Sequence, residues 1–188
     1  MRHPLGGFSL NARQHVQVAI RMSTDAAHQR WWQIFEVVFG IPFLAAIALQ
    51  LALPLSLPLG VLTPAVLPCG AALIIVGAVI VVLTRRAFTS HGQPTDPGRP
   101  TSQLITTGVF SISRNPLYLG GICILVGIAC TLNLPWVVVL LVPAPVGCHY
   151  LLVVPEERYL AAKFGAEYRR YASSVHRWIG RVRRPRKA

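Results

Sequence analysis

No Asp, Glu, Lys or Arg occurs from Val37 to Thr84, a run of 48 residues, and none from Asn115 to Pro155, a run of 41. Nothing else in the chain limits its fold so strongly. A helix rises about 1.5 Å per residue, so about 20 apolar residues cross a hydrocarbon layer about 30 Å thick. Each run therefore holds two spans and a turn. The pattern predicts spans near 32–53, 67–84, 117–132 and 134–154. The alternative is a pair of buried helices in a soluble protein, but a chain of 188 residues has too little polar sequence left to cover them. Only 13% of residues are charged, against about 25% in soluble domains.

Turn residues fall where hairpins need them. Pro54, Pro58, Gly60, Pro64 and Pro68 are expected to break the first run, and Asn133–Pro135 the second. Every Lys and Arg lies in residues 1–30, 85–114 or 158–188. The positive-inside rule places all three segments, and so both termini, on the cytoplasmic side. Trp31, Trp32 and Trp136 stand at span ends, where amphipathic rings favour the interface. The expected fold is all-α: a polytopic membrane protein with four transmembrane helices as two hairpins, plus a cytoplasmic C-terminal amphipathic helix. Its segments are a basic N-terminal stretch (1–30), a first hairpin (31–84), a cytoplasmic loop (85–115), a second hairpin (116–155), and a C-terminal helix with a basic tail (156–188).

The first 30 residues are polar and Arg-rich, without the apolar core of a cleavable signal peptide. They read as a solvated tail or as an amphipathic helix on anionic lipid. The net charge of +12 could suggest nucleic acid. Its concentration beside the spans, and in the Arg-rich stretch from Arg177 to Lys187, points instead to lipid headgroups. Cys69, Cys123, Cys130 and Cys148 have no metal-ligand spacing and read as small buried apolar residues. There is no Walker loop, GxGxxG or GxSxG.

Two polar segments can carry chemistry. The loop ends in Thr106-Thr107-Gly108-Val109-Phe110 and then Arg114-Asn115-Pro116-Leu117-Tyr118-Leu119-Gly120-Gly121, which opens the third span. Pro116 suits a first helical turn, where free N–H groups can receive an anion. The same residues also read as an interface Arg, a cap and glycines for close packing. After the fourth span, Pro155-Glu156-Glu157 reads as a helix start. Leu160, Phe164, Tyr168 and Tyr171 form an apolar stripe beyond it. The Glu pair suits capping with a salt bridge to Arg158, or the gripping of a cationic or hydroxyl-bearing ligand. His149 and Glu36 are polar groups at or within spans, with functional and packing readings both open.

Taken together, TTGVFSISRNPLYLGG, a hairpin and PEERYLAAKFGAEYRRYASSVHRWI resemble the isoprenylcysteine carboxyl methyltransferase and phospholipid methyltransferase superfamily over roughly residues 87–179. The resemblance implies an integral membrane enzyme that uses S-adenosylmethionine on a lipophilic small-molecule or lipid acceptor. It implies cofactor contacts at Ser102, Gln103, Leu104, Ile105, Phe110, Asn115, Pro116, Leu117, Tyr118 and Glu156, with Gln93 aligned to an upstream contact. Phe110 stands where the family often has Tyr. Asn115 replaces the His of the eukaryotic carboxyl methyltransferases. Leu152 stands at a substrate-contacting position those enzymes fill with Arg, so an anionic acceptor would lose its charge partner. The rival readings are phospholipid amine methylation on the same scaffold, an NADPH-dependent membrane reductase of related architecture, and a catalytically silent membrane scaffold.

Overall fold

The computed structural model describes residues 35–58, 60–93 and 101–182. The basic N-terminal segment, Trp31, Trp32, the prolines of 94–100, the side chain of Glu36 and the tail from 183 onward lie outside the described residues. The described residues are helical and contain no strand, only an isolated bridge between Val175 and Arg181. A π turn, Glu36–Gly40, leads into α1 (Ile41–Ala52). Then come α2 (Thr63–Ser90), α3 (Pro116–Thr131), α4 (Pro135–Leu141), α5 (Ala144–Cys148) and, after a π turn at His149–Val153, α6 (Val154–Ala172). The runs Thr63–Ser90 and Pro135–Ala172 are long and apolar enough to cross a membrane, while Val37–Ala52 and Pro116–Thr131 are shorter apolar helices.

Pro64 and Pro68 lie inside α2 rather than in the turn before it. Pro64 is the second helical residue, where the N–H has no helical partner anyway, whereas Pro68 is the sixth and leaves the Pro64 carbonyl without its helical donor. At the other end α2 runs through Arg85 and Arg86 to Ser90 and stops before Gly92, whose φ is +61°. Pro155 does not begin a new helix either. The chain passes from the fourth apolar run into α6 without a break, and the Val154 N–H reaches back to the His149 carbonyl across the π turn. That wider turn lies where the proline ring would crowd a carbonyl and remove a donor. Of the four cysteines only Cys148 is fully enclosed; Cys69 is exposed, and Cys123 and Cys130 are half-buried.

α2 and α3 pack backbone to backbone. Gly77 faces the Gly120 carbonyl, and Gly70 faces that of Gly127; a Cβ on Gly77 would stand 2.6 Å from the first oxygen, and one on Gly70 2.9 Å from the second. Seven residues separate the glycines on each helix, so the contact repeats along one seam. The opposite face of α2 exposes Ile75, Val76, Val79, Val82 and Leu83. α1 lies along α4, and an apolar core of Phe39, Ala46, Ala129, Val137, Leu141, Ala144, Cys148, Leu152 and Val153 joins α1 to α3 and the fourth run. The two hairpin turns meet. The Asn133 side chain accepts from the Leu57 N–H (3.2 Å) and donates to the Leu57 carbonyl (3.0 Å), while Trp136 Nε1 donates to the Leu53 carbonyl (2.9 Å).

Candidate functional site

At the end of the bundle away from those turns, the starts of α3 and α6 come together. Tyr118, in the first turn of α3, donates its hydroxyl to Glu156 Oε2 at 3.0 Å. Glu156 stands in the first turn of α6. The Tyr118 ring stacks on Phe35 (centroids 6.1 Å apart, planes at 11°), and Phe35 stacks on Phe39 at 4.5 Å. The Phe35 ring occupies the space a Cβ on Gly121 would need. The second glycine of the Leu119-Gly120-Gly121 sequence thus admits an aromatic ring, and the first admits α2.

The neighbouring carboxylate does different work. Glu157 pairs with Arg177 through two bonds, Nε to Oε1 at 2.9 Å and Nη2 to Oε2 at 2.7 Å, and with Arg114 Nη1 at 3.0 Å. These two arginines, rather than Arg158, are the partners of Glu157. Arg114 Nη1 also donates to the Tyr168 hydroxyl at 3.1 Å. Its Nε is buried with no partner among the described residues. The bidentate bond to Glu157 holds Arg177 more firmly protonated than usual. Burial, with the Glu157 charge adding to it, pushes the Tyr168 phenol up.

Arg177 belongs to a small hairpin, 175–181, bridged at Val175 and Arg181 and closed by the His176 N–H on the Gly180 carbonyl at 2.8 Å. Gly180 turns it with φ +104°, a value that side chains disfavour. This hairpin clasps the approach to α3. Gly180 N–H donates to the Ile112 carbonyl (2.7 Å), Arg114 N–H to the His176 carbonyl (3.2 Å), and Asn115 Nδ2 to the Arg177 carbonyl (2.9 Å). Asn115 is 7% exposed and does not cap α3; its side chain is committed to the clasp.

The remaining carried-over positions divide between this group and a second core. Pro116 is buried and Leu117 half-buried in the same first turn of α3. Ile105 and Phe110 are enclosed with Tyr168, Tyr171 and Val175, with Leu104, Leu160 and Phe164 packed around them. The stripe expected on the C-terminal helix therefore covers the loop. A kink at Gly165 (φ +52°, ψ −116°) precedes the two tyrosines. Tyr171 donates to the Phe110 carbonyl at 2.7 Å, and burial pushes its phenol up. Ser102 and Gln103 are exposed, and their polar groups close the loop. Gln93 accepts from the Ser102 N–H (2.8 Å) and donates to Ser102 Oγ (2.7 Å), while Gln103 donates to the His91 carbonyl (2.6 Å). Leu152 is fully buried in the first core. His149 is half-buried, its ring edge-on to Tyr150 at 4.8 Å. Sequence reasoning did not single out Phe35 or the Arg114–Glu157–Arg177 group, whose members are distant in the chain and carry no local pattern.

A sequence model described as phospholipid methyltransferase matches residues 66–167, more than half of the chain. The chain belongs to the phospholipid methyltransferase family. The match runs from the start of α2 into α6 and includes Tyr118, Glu156, Glu157 and Arg114. Phe35 and the 175–181 hairpin lie outside the matched residues. No curated protein and no solved structure matches the chain significantly. Membership of the phospholipid methyltransferase family, together with the two long apolar helices, indicates a membrane-associated methyltransferase.

Proposed function

We propose that the chain is a four-span membrane enzyme that transfers a methyl group from S-adenosylmethionine to the amine nitrogen of a lipid headgroup at the cytoplasmic face. The observation that carries this reading is the Tyr118–Glu156 pair, set inside the region matched by the phospholipid methyltransferase family. Its donor set suits the cofactor. A carboxylate bordered by Tyr118 and Phe35 is a favourable surrounding for a sulfonium cation. Tyr118 and Glu156 would hold the group together with the main chain of Ser102–Ile105, since Ile105 and Phe110 direct their side chains into the second core. When bound, the cofactor supplies an electrophilic methyl carbon on sulfur. The chain itself supplies position, a site shielded by aromatic rings, and a carboxylate that attracts a headgroup ammonium and takes up the proton it must lose before its lone pair can attack.

An anionic acceptor suits the site less well. Leu152 offers no charge, and the nearby cations Arg114 and Arg177 are already committed to Glu157. A carboxylate brought there would be desolvated without a partner. This supports amine methylation over methylation of a prenylcysteine carboxylate. The meeting of the two hairpin turns supports hairpins that point the same way, and the confinement of basic residues to 1–30, 85–114 and 158–188 supports cytoplasmic termini.

The test is transfer of labelled methyl groups by the purified full chain in nanodiscs. Label should enter phosphatidylethanolamine and not a prenylcysteine analogue; the reverse would refute the acceptor assignment. Calorimetry with S-adenosylmethionine separates the cofactor question, since binding of NADPH instead would favour a reductase. Tyr118→Phe should weaken cofactor binding by about tenfold, the worth of one hydrogen bond to a charged group, and Glu156→Gln by at least as much. Parental affinity in both variants would remove the site assignment.

A further inference from the structure

A recess borders the 175–181 hairpin at Val175 and Arg181. It is a cavity of about 410 Å³, open to solvent, and its lining includes none of the carried-over cofactor contacts and neither Phe35 nor Tyr118. Tyr171 and Val175, both buried, form its floor. Arg170 on α6 and Arg181 on the hairpin stand at its walls, with Thr106 from the loop.

The donors in this recess can be accounted for one by one. Ser111 gives its hydroxyl proton to the Gly108 carbonyl, Ser174 to the Tyr171 carbonyl and Tyr171 to the Phe110 carbonyl. Those protons are already used. Arg181 donates only Nε, to the Ser111 carbonyl at 3.2 Å, which pins the guanidinium at the recess and leaves its two outer nitrogens without partners among the described residues. Arg170 has no ion pair or hydrogen-bond acceptor for its side chain among the described residues, and it does not pair with Glu167, which also lines the recess. The donors that remain to meet a ligand are therefore two guanidinium groups on two different elements and the Thr106 hydroxyl, set against the single carboxylate of Glu167.

Guanidinium groups match the oxygens of phosphate better than any other side chain, because their planar forks donate two parallel bonds. We propose that this recess binds a phosphate group, and that occupancy ties the hairpin to the last turn of α6. The ligand would bridge Arg181, on the clasp that holds Arg114 and Asn115, to Arg170, on the helix that carries Glu156 in its first turn. It goes beyond methyl transfer and does not depend on the identity of the acceptor. Two sources offer the same chemistry: the headgroup of an anionic phospholipid, or a soluble phosphate.

Native mass spectrometry of the full chain in detergent, with phosphatidylglycerol or inorganic phosphate added separately, tests the site and its source. The comparison is between the parent, Arg170→Gln, Arg170→Gln/Arg181→Gln, and a charge-matched control, Arg85→Gln/Arg86→Gln. Arg170 makes no side-chain bond among the described residues, so its single variant keeps the test valid if the double variant misfolds. The expected result is retention of one phosphatidylglycerol by the parent and the control, with about tenfold weaker retention in Arg170→Gln, the effect of losing a charge-assisted bond. Retention of inorganic phosphate with the same dependence, and no lipid, would also support the site and would assign it to a soluble ligand. Equal losses in the control and the recess variants would show attraction to net charge alone and overturn the proposal. So would parental retention in Arg170→Gln, or no binding of either probe by the parent.

Discussion

Adjacent carboxylates with separate duties are the central fact at the scale of residues. Glu156 faces Tyr118, and Glu157 neutralises Arg114 and Arg177. Arg114 is 13% exposed and Arg177 36%, so the two variants that break this group should differ in cost. Glu157→Gln leaves Arg114 buried without a countercharge and should destabilise the protein by about 3 kcal/mol. Arg177→Ala, at a more exposed position, should cost about 1 kcal/mol. Chemical unfolding in detergent checks the order; equal costs would mean that Arg114 does not depend on Glu157. The tyrosines give a pH signature. Burial favours the neutral phenols of Tyr168 and Tyr171, so their contribution to stability is complete below the ordinary tyrosine value of about 10 and is lost as pH rises above it. Melting temperatures between pH 8 and 11 should fall, and fall less in Tyr171→Phe than in the parent. The sequence exposed the Glu pair as a pair, because two acids after a proline stand out. It could not divide their roles, since Arg114 and Arg177 reach Glu157 only through the tertiary fold.

Among the elements, the α2–α3 seam makes the strongest demand on sequence. Because Gly77 and Gly120 touch through their backbones, Gly77→Leu must push the helices apart and should cost at least about 1–3 kcal/mol, the usual penalty of overpacking. Gly40→Ala is the control, since an added methyl there meets nothing. Similar melting temperatures for the two variants would mean that the seam is not tightly packed in solution. Charge-free runs and turn residues made the helices legible, and the spacing of Leu160, Phe164, Tyr168 and Tyr171 made the face of α6 legible. The junction between the fourth run and α6 was not. Pro155 followed by acids has the composition of a helix start, and only the π turn over His149–Val153 lets the chain continue through it. Nor could local pattern reveal that Pro64 and Pro68 sit within α2, because a proline near a helix start and one in the turn before it look alike.

At the scale of the molecule, the two ends of the bundle differ. One carries both hairpin turns, joined through Asn133 and Leu57; the other carries Tyr118, Glu156 and the clasp. Tyr118 and Thr131 are 13 residues apart on one helix, so the two ends stand about 20 Å apart. Accessibility labelling of single cysteines, in a chain cleared of its own four, should find residues 10, 95 and 185 on the cytoplasmic side and residue 60 on the other. Finding 60 and 95 on one side would exclude the two-hairpin arrangement. The joined turns offer the far end little chemistry, since the Asn133 and Trp136 side chains are spent on the main chain of Leu57 and Leu53. On the proposed reading, a catalyst with a single working end would make its product in one leaflet only. Methylated headgroups would accumulate there, and the opposite leaflet would receive them only as fast as lipids cross the bilayer, so the enzyme would create membrane asymmetry as well as a modified lipid.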